Sequence, residues 1–85
     1  MDDDYEIVMS PLCREVTRDG STVEILIYRG EHDDEWILEV VDEYGGSTVW
    51  DDPFPMEKFA LDEAMRVIEE EGITAFMRPP KNKLN

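Results

Sequence analysis

The chain has few of the residues from which catalytic and metal centres are most often built. Its 85 residues include one histidine and one cysteine, Cys13. A single cysteine excludes an intramolecular disulfide and an all-cysteine zinc site. No histidine and acid stand at catalytic spacing from Cys13. We therefore predict that Cys13 is a small, partly buried strand residue, and we expect neither a cofactor nor enzymatic activity.

Long apolar runs and basic residues are also scarce. The first six residues, MDDDYE, contain no basic segment and no long apolar run follows them, so we expect no secretory signal, no membrane span and a cytoplasmic protein. The small size and plain composition favour a bacterial protein. Residues 1 to 77 carry 5 of the 8 basic residues and all 22 acids, a net charge of −17, against −14 for the whole chain. Such a charge repels phosphate backbones and lipid surfaces. We therefore expect no direct binding of nucleic acid or membrane.

What is present suffices for one small domain. Apolar residues make up 41% of the chain, enough for a single core at this length. We predict one α+β domain over residues 7–78, preceded by an acidic tail at 1–6 and followed by a basic tail at 79–85. An antiparallel four-stranded β-meander with one C-terminal α-helix packed on one face is the simplest arrangement.

Four β-prone segments separated by turn signals predict this sheet. They are Leu12 to Arg18, Thr22 to Arg29, Trp36 to Val41 and Ser47 to Trp50. Asp19-Gly20 suits the positive φ angles of a type I′ turn between the first two segments, and Gly45-Gly46 marks a turn between the last two. Alternation assigns Val23, Ile25 and Ile27 to the core.

The helix is predicted over Met56 to Glu71. Its apolar stripe, widened by Ala60 and Val67, consists of Leu61, Ala64, Met65 and Ile68. Gly72 is expected to end the helix with a left-handed backbone, and Asp62 to pair with Arg66. Three consecutive glutamates, 69–71, oppose the negative end of the helix dipole. Thr74 to Met77 is predicted to be either a short fifth strand or an extended segment that covers the core.

Two acidic loops are candidate sites, each with a simpler interpretation. The loop Glu31 to Glu35 places His32 among four carboxylates but lacks the acid spacing of a calcium loop. We predict a solvated turn there and leave its metal affinity open. Asp51 and Asp52 are adjacent carboxylates, but catalysis would require a deep cleft that four short strands and one helix do not make. We predict that Asp51 or Asp52 accepts hydrogen bonds from turn amides near Pro53.

The sheet face opposite the helix is the better candidate. Alternation places Leu26, Tyr28, Ile37 and Val41 on this face, and Val49 of the last strand completes the predicted set. Scattered apolar surface residues are common, but a grouped patch suggests contact with another protein or a second copy of the chain in a homodimer. A non-enzymatic interaction or regulatory module is therefore the leading hypothesis. An acidic mimic that occupies a basic nucleic-acid-binding surface is the alternative, and a small enzyme using the loop carboxylates is disfavoured.

Two resemblances bear on this interpretation. The segments that carry the first are SPL (10–12), WILEV (36–40), WDDPF (50–54), AL (60–61) and EGI (71–73), and over residues 10–77 they resemble small acidic bacterial proteins without an assigned activity. That resemblance implies a compact domain and no particular role. The element order is also similar to that of PC4-like single-strand DNA binders. However, only Arg14, Arg18 and Arg29 are basic in the predicted sheet, so this similarity is one of order alone.

Overall fold

A computed structural model describes residues 6–76 as an antiparallel sheet with one helix across it, which confirms the α+β class. The predicted tails, apart from Glu6, and the predicted domain end at residue 78 lie outside the described residues. The strands are β1 (Ile7–Met9), β2 (Arg14–Arg18), β3 (Ser21–Gly30), β4 (Ile37–Asp42) and β5 (Ser47–Val49). The helix α1 (Glu57–Glu71) and a 3₁₀ helix (Ile73–Phe76) follow them.

The sheet contains the predicted meander and one strand more. β2, β3, β4 and β5 pair in chain order, as predicted. β1 was not predicted, and it pairs with the far end of β3, where Met9 lies opposite Tyr28. β1 and β2 therefore form one interrupted edge of the sheet, because both are antiparallel to β3.

The interruption at residues 10–13 explains why the predicted strand from Leu12 is too long. Four edge residues stand where β3 has only Leu26 and Ile27, so the edge bulges away from the ladder. Pro11 has no amide hydrogen to donate there. The backbone N–H of Ser10 donates to the Ile27 carbonyl at 2.9 Å, and the Ile27 N–H donates to the Cys13 sulfur at 3.2 Å. Cys13 is partly buried as predicted, but it lies in this bulge and not on a strand.

Both predicted turns form. Asp19 and Gly20 have φ angles of 54° and 81°, the two positive values that a type I′ turn requires. In the second turn the buried carboxylate of Asp42 accepts backbone N–H groups of Tyr44 and Gly46, each at 2.8 Å. Gly46 leaves room for this contact, because a Cβ at that position would lie 3.0 Å from the Asp42 carboxylate and would press against it.

The core lies between the sheet and α1. Val23, Ile25 and Ile27 are buried as predicted, and the register sets Val40 opposite Ile25 and Leu38 opposite Ile27. The fully buried helix residues are Ala60, Ala64, Val67 and Ile68. Leu61 and Met65, predicted at the centre of the stripe, are half-buried and pack at its margin. Small alanines at the contact let the helix backbone approach the sheet closely.

The chain after α1 differs from the prediction. Gly72 has a φ of 90° as expected, but its ψ of 152° is not that of a left-handed helix cap. Residues 73–76 form a 3₁₀ helix and not the possible fifth strand, and Met77 lies outside the described residues. Ile73 and Phe76 are buried, and the Phe76 ring packs at 5.9 Å from that of Trp50. The 3₁₀ helix therefore closes the end of the core.

The two tryptophans link the sheet to the segments that follow it in the chain. Trp36 forms a two-way backbone bridge with Phe54, which returns the chain towards α1. The indole N–H of Trp50 donates to Glu63 of α1 at 3.2 Å. Both indoles are half-buried against the core. No helix within residues 6–76 is long and apolar enough to cross a membrane.

Candidate interaction face

The face of the sheet that points away from α1, here called the open face, brings all five predicted residues together. Strand alternation and the cross-strand register define its membership. Its side chains are those of Ile7, Met9, Glu15, Thr17, Thr22, Glu24, Leu26, Tyr28, Ile37, Glu39, Val41, Ser47 and Val49.

Apolar side chains form a connected surface across this face. Met9, Tyr28 and Ile37 lie directly opposite one another on three neighbouring strands. Ile7, Met9 and Val49 are each about half exposed, at 53%, 49% and 49%. The contribution of β1 was missed, although the apolar run Ile7-Val8-Met9 before a proline was the signal that could have revealed it. The patch is therefore larger than the sequence indicated.

Glu39 lies within this apolar surface and is held in place. It stands between Leu26 and Val49 in the cross-strand register. One carboxylate oxygen accepts the Tyr28 hydroxyl and the other accepts the Ser47 hydroxyl, each at 2.9 Å. Burial raises the pKa of Tyr28 above its usual value, and the hydrogen bond to Glu39 and the negative charge of Glu39 raise it further. The phenol thus stays protonated at neutral pH and continues to donate.

The open face carries acids but no Lys or Arg among the described residues. Glu15 and Glu24 lie directly opposite each other on β2 and β3, a like-charge pairing that destabilises a sheet. A shallow depression of about 210 Å³ lies beside them. It is lined by Glu15, Thr22, Val23, Glu24, Val41, Asp42 and Glu43.

All three arginines of the strands lie on the helix side of the sheet. Arg14 is opposite Ile25, Arg18 is opposite Ser21, and Arg29 is opposite Val8, all in the alternation of the core residues. The Arg29 guanidinium packs 5.1 Å from the ring of Trp36 and donates to the carbonyls of the loop that begins at Gly30. The strand arginines therefore lie on the helix side of the sheet, where Arg29 binds the loop that follows β3.

Three acids of α1, Glu63, Glu69 and Glu70, have basic partners. Arg18 bonds to Glu69 at 3.2 Å. Arg66 pairs with Glu63 at 2.8 Å and with Glu70 at 3.0 Å. The prediction that it pairs with Asp62 is wrong. The hydrogen bond from Arg66 is the largest cause of the lowered pKa of Glu63. Two of the three glutamates at the end of the helix thus have a nearby positive charge, which offsets their conflict with the helix dipole.

Within residues 6–76, the side chains of the two acidic loops do not form a group that could hold a metal ion. His32 is exposed, with its Nε2 atom 3.2 Å from Glu31. Asp51 and Asp52 are also exposed. No group of three or more potential ligands among the described side chains is arranged to hold a metal ion. The metal affinity of the His32 loop and the role of Asp51 and Asp52 in the Pro53 turn stay predictions.

Comparison with known proteins returned no matching family, no matching curated protein and no matching solved structure. The two resemblances described from sequence segments and element order therefore stay predictions, and the functional argument depends on the open face.

Proposed function

We propose that this protein is a non-enzymatic interaction module that binds another protein, or a second copy of itself, through the open face. The observation that carries the proposal is the connected row of Met9, Tyr28 and Ile37, which α1 leaves uncovered. Leu26, Val41 and Val49 extend this row over β3, β4 and β5. Contiguous apolar patches of this kind are typical of contact surfaces, whereas a solvated sheet face needs only polar side chains.

The test is to place a charge in the centre of the row. Ile37→Asp should abolish binding, because a desolvated carboxylate in an apolar contact is strongly unfavourable. Phe59→Asp is the matched control, since Phe59 is also apolar and 46% exposed but lies on α1. Light scattering measures self-association, and affinity capture from the native host measures binding of other proteins. A monomeric parent whose captured proteins are unaffected by Ile37→Asp would contradict the proposal.

A second function is favoured by one specific observation: among residues 6–76, the open face carries acids and no Lys or Arg. In this alternative the protein mimics a nucleic acid and sequesters a basic protein surface. The two functions differ in their response to salt. Binding by a mimic should weaken steeply between low and physiological ionic strength, because it depends on charge. Binding through apolar contact alone should change little.

A further inference from the structure

We infer that the occupant of the open face is a segment of another protein that presents arginine or lysine together with apolar residues on one side, and not a second copy of this chain. The inference rests on the proposed function and names the chemistry of its partner. Two features of the open face support it: the apolar row, and charged side chains that are all acidic among the described residues.

The charge distribution is the first argument. Glu15, Glu24 and Glu39 share the open face, and no described basic side chain lies there. A second copy packed through this face would bring the same acids towards the first set and supply no described base to neutralise them. A basic segment would instead remove the repulsion between Glu15 and Glu24 on binding.

The second argument is the arrangement around Glu39. Its carboxylate is fixed by Tyr28 and Ser47 in an apolar surround, so little side-chain freedom remains to be lost on binding. Each carboxylate oxygen can accept two hydrogen bonds, and each accepts one from these two hydroxyls. Both oxygens therefore retain capacity for a further donor, which matches the two-pronged geometry of a guanidinium.

Spacing is the third argument. Glu24 is one diagonal step from Glu39 on the neighbouring strand, because Leu26 is directly opposite Glu39. Such diagonal neighbours are roughly 7–8 Å apart, close to the distance between alternate side chains of an extended strand. Because alternate side chains of an extended segment share one side, bases at positions i and i+2 can reach Glu39 and Glu24. An apolar side chain at the next alternate position can then lie on the same face of the sheet.

The experiment uses two synthetic peptides that share the same valine residues. One has two arginines, and the other two glutamates, at positions that share a side with the valines in an extended conformation. Amide chemical shifts of the full-length protein are followed as each peptide is added. The arginine peptide should shift the amides of Leu26, Tyr28, Ile37 and Glu39, while the glutamate peptide should leave them unchanged.

Two double variants with the same change in net charge test the named carboxylates. Glu24→Gln with Glu39→Gln should weaken the arginine peptide at least about tenfold, because both paired charges are lost. Asp51→Asn with Asp52→Asn is the control, since these exposed acids lie in the loop after β5. It should change the affinity by less than about twofold at physiological salt, where distant charges are screened. Amide shift dispersion verifies that each variant is folded.

The outcomes separate this inference from the proposed function. If both peptides bind the open face equally and Ile37→Asp abolishes both, the interaction face is retained and the basic partner is wrong. Equal weakening by the two double variants would show general electrostatic attraction and overturn the inference. A parent dimer that loses association on Ile37→Asp, and that the arginine peptide fails to displace, would identify a second copy as the occupant. Absence of any shift on the open face with either peptide also counts against the basic partner.

Discussion

The two faces of the sheet are built from the same strands and differ in how their side chains are satisfied. On the helix side, Ile25, Ile27 and Leu38 are fully buried, and the arginines at the margin of that layer have partners such as Glu69. On the open face, the apolar residues stay partly exposed, and Glu15 lies opposite Glu24. Stabilising contacts are therefore concentrated on the helix side. The open face keeps a like-charge pair, which reduces stability, and exposed apolar side chains, which would suit the proposed binding.

The largest difference is expected from neighbouring residues that point to opposite faces. Leu38→Ala should lower the free energy of unfolding by about 2–5 kcal/mol, because it opens a cavity at a fully buried site. Ile37→Ala, one residue earlier on the open face, should cost roughly 1 kcal/mol or less. Urea denaturation of both variants measures the contrast. Equal losses would mean that the open face is as tightly packed as the core.

The next effect concerns the buried carboxylate on the helix side. Asp42→Ala removes the acceptor of the Tyr44 and Gly46 amides and should lower stability by about 1–3 kcal/mol. Asp42→Asn is the control, because its amide oxygen can still accept these bonds. Glu43→Ala, in the same turn but exposed, should cost much less. Thermal unfolding followed by circular dichroism compares the three, and a harmless Asp42→Ala would remove the structural role of this acid.

Charge reversals on the two faces should act in opposite directions. Glu24→Lys should raise stability by about 0.2–1 kcal/mol, since it converts the pairing with Glu15 from repulsive to attractive. Arg18→Glu should lower stability by a similar amount, roughly 0.2–1 kcal/mol, because its exposed bond to Glu69 is lost. Denaturation midpoints at low salt measure both. If both variants are destabilised, the open face is not electrostatically frustrated.

The smallest effect is a titration on the open face. The pKa of Tyr28 is raised above 10.0, so its contribution to stability is complete below pH 10 and is lost as pH rises through the folded-state pKa. Glu39→Gln should bring that pKa closer to 10.0, because it removes a negative charge beside the phenol. Phenolate absorbance, with Tyr28→Phe to identify the signal, measures both values. An unchanged titration in Glu39→Gln would show that burial alone is responsible.

Sequence patterns were most informative where one local rule was enough. Asp19-Gly20 predicted two positive φ angles, and the alternation of Val23, Ile25 and Ile27 predicted the core side of β3. The five predicted open-face residues also lie together. Alternation has a period of two residues, so a strand identified in the correct phase assigns each side chain to a face without any knowledge of its partner.

Prediction failed where a partner distant in sequence decides the outcome. β1 is three residues long and is a strand only because β3 extends far enough to pair with it. Arg66 lies within reach of several acids on the same helix. The distant partner is Trp50, whose indole N–H donates to Glu63 and so helps to select the carboxylate that Arg66 binds. The 3₁₀ helix at 73–76 forms where Ile73 and Phe76 close the core, a position that no local pattern indicates.

The sequence by itself determined the α+β class, the turns, the phase of β3 and β4 and the excess of acid, because composition and short-range periodicity are sufficient for these. Only the tertiary structure decided which strands lie side by side. That pairing sets Met9, Tyr28 and Ile37 in one row and places all three strand arginines on the helix side. The acids of the open face are without described bases for that reason: charge is distributed along the chain, but it is neutralised only between groups that folding brings close together.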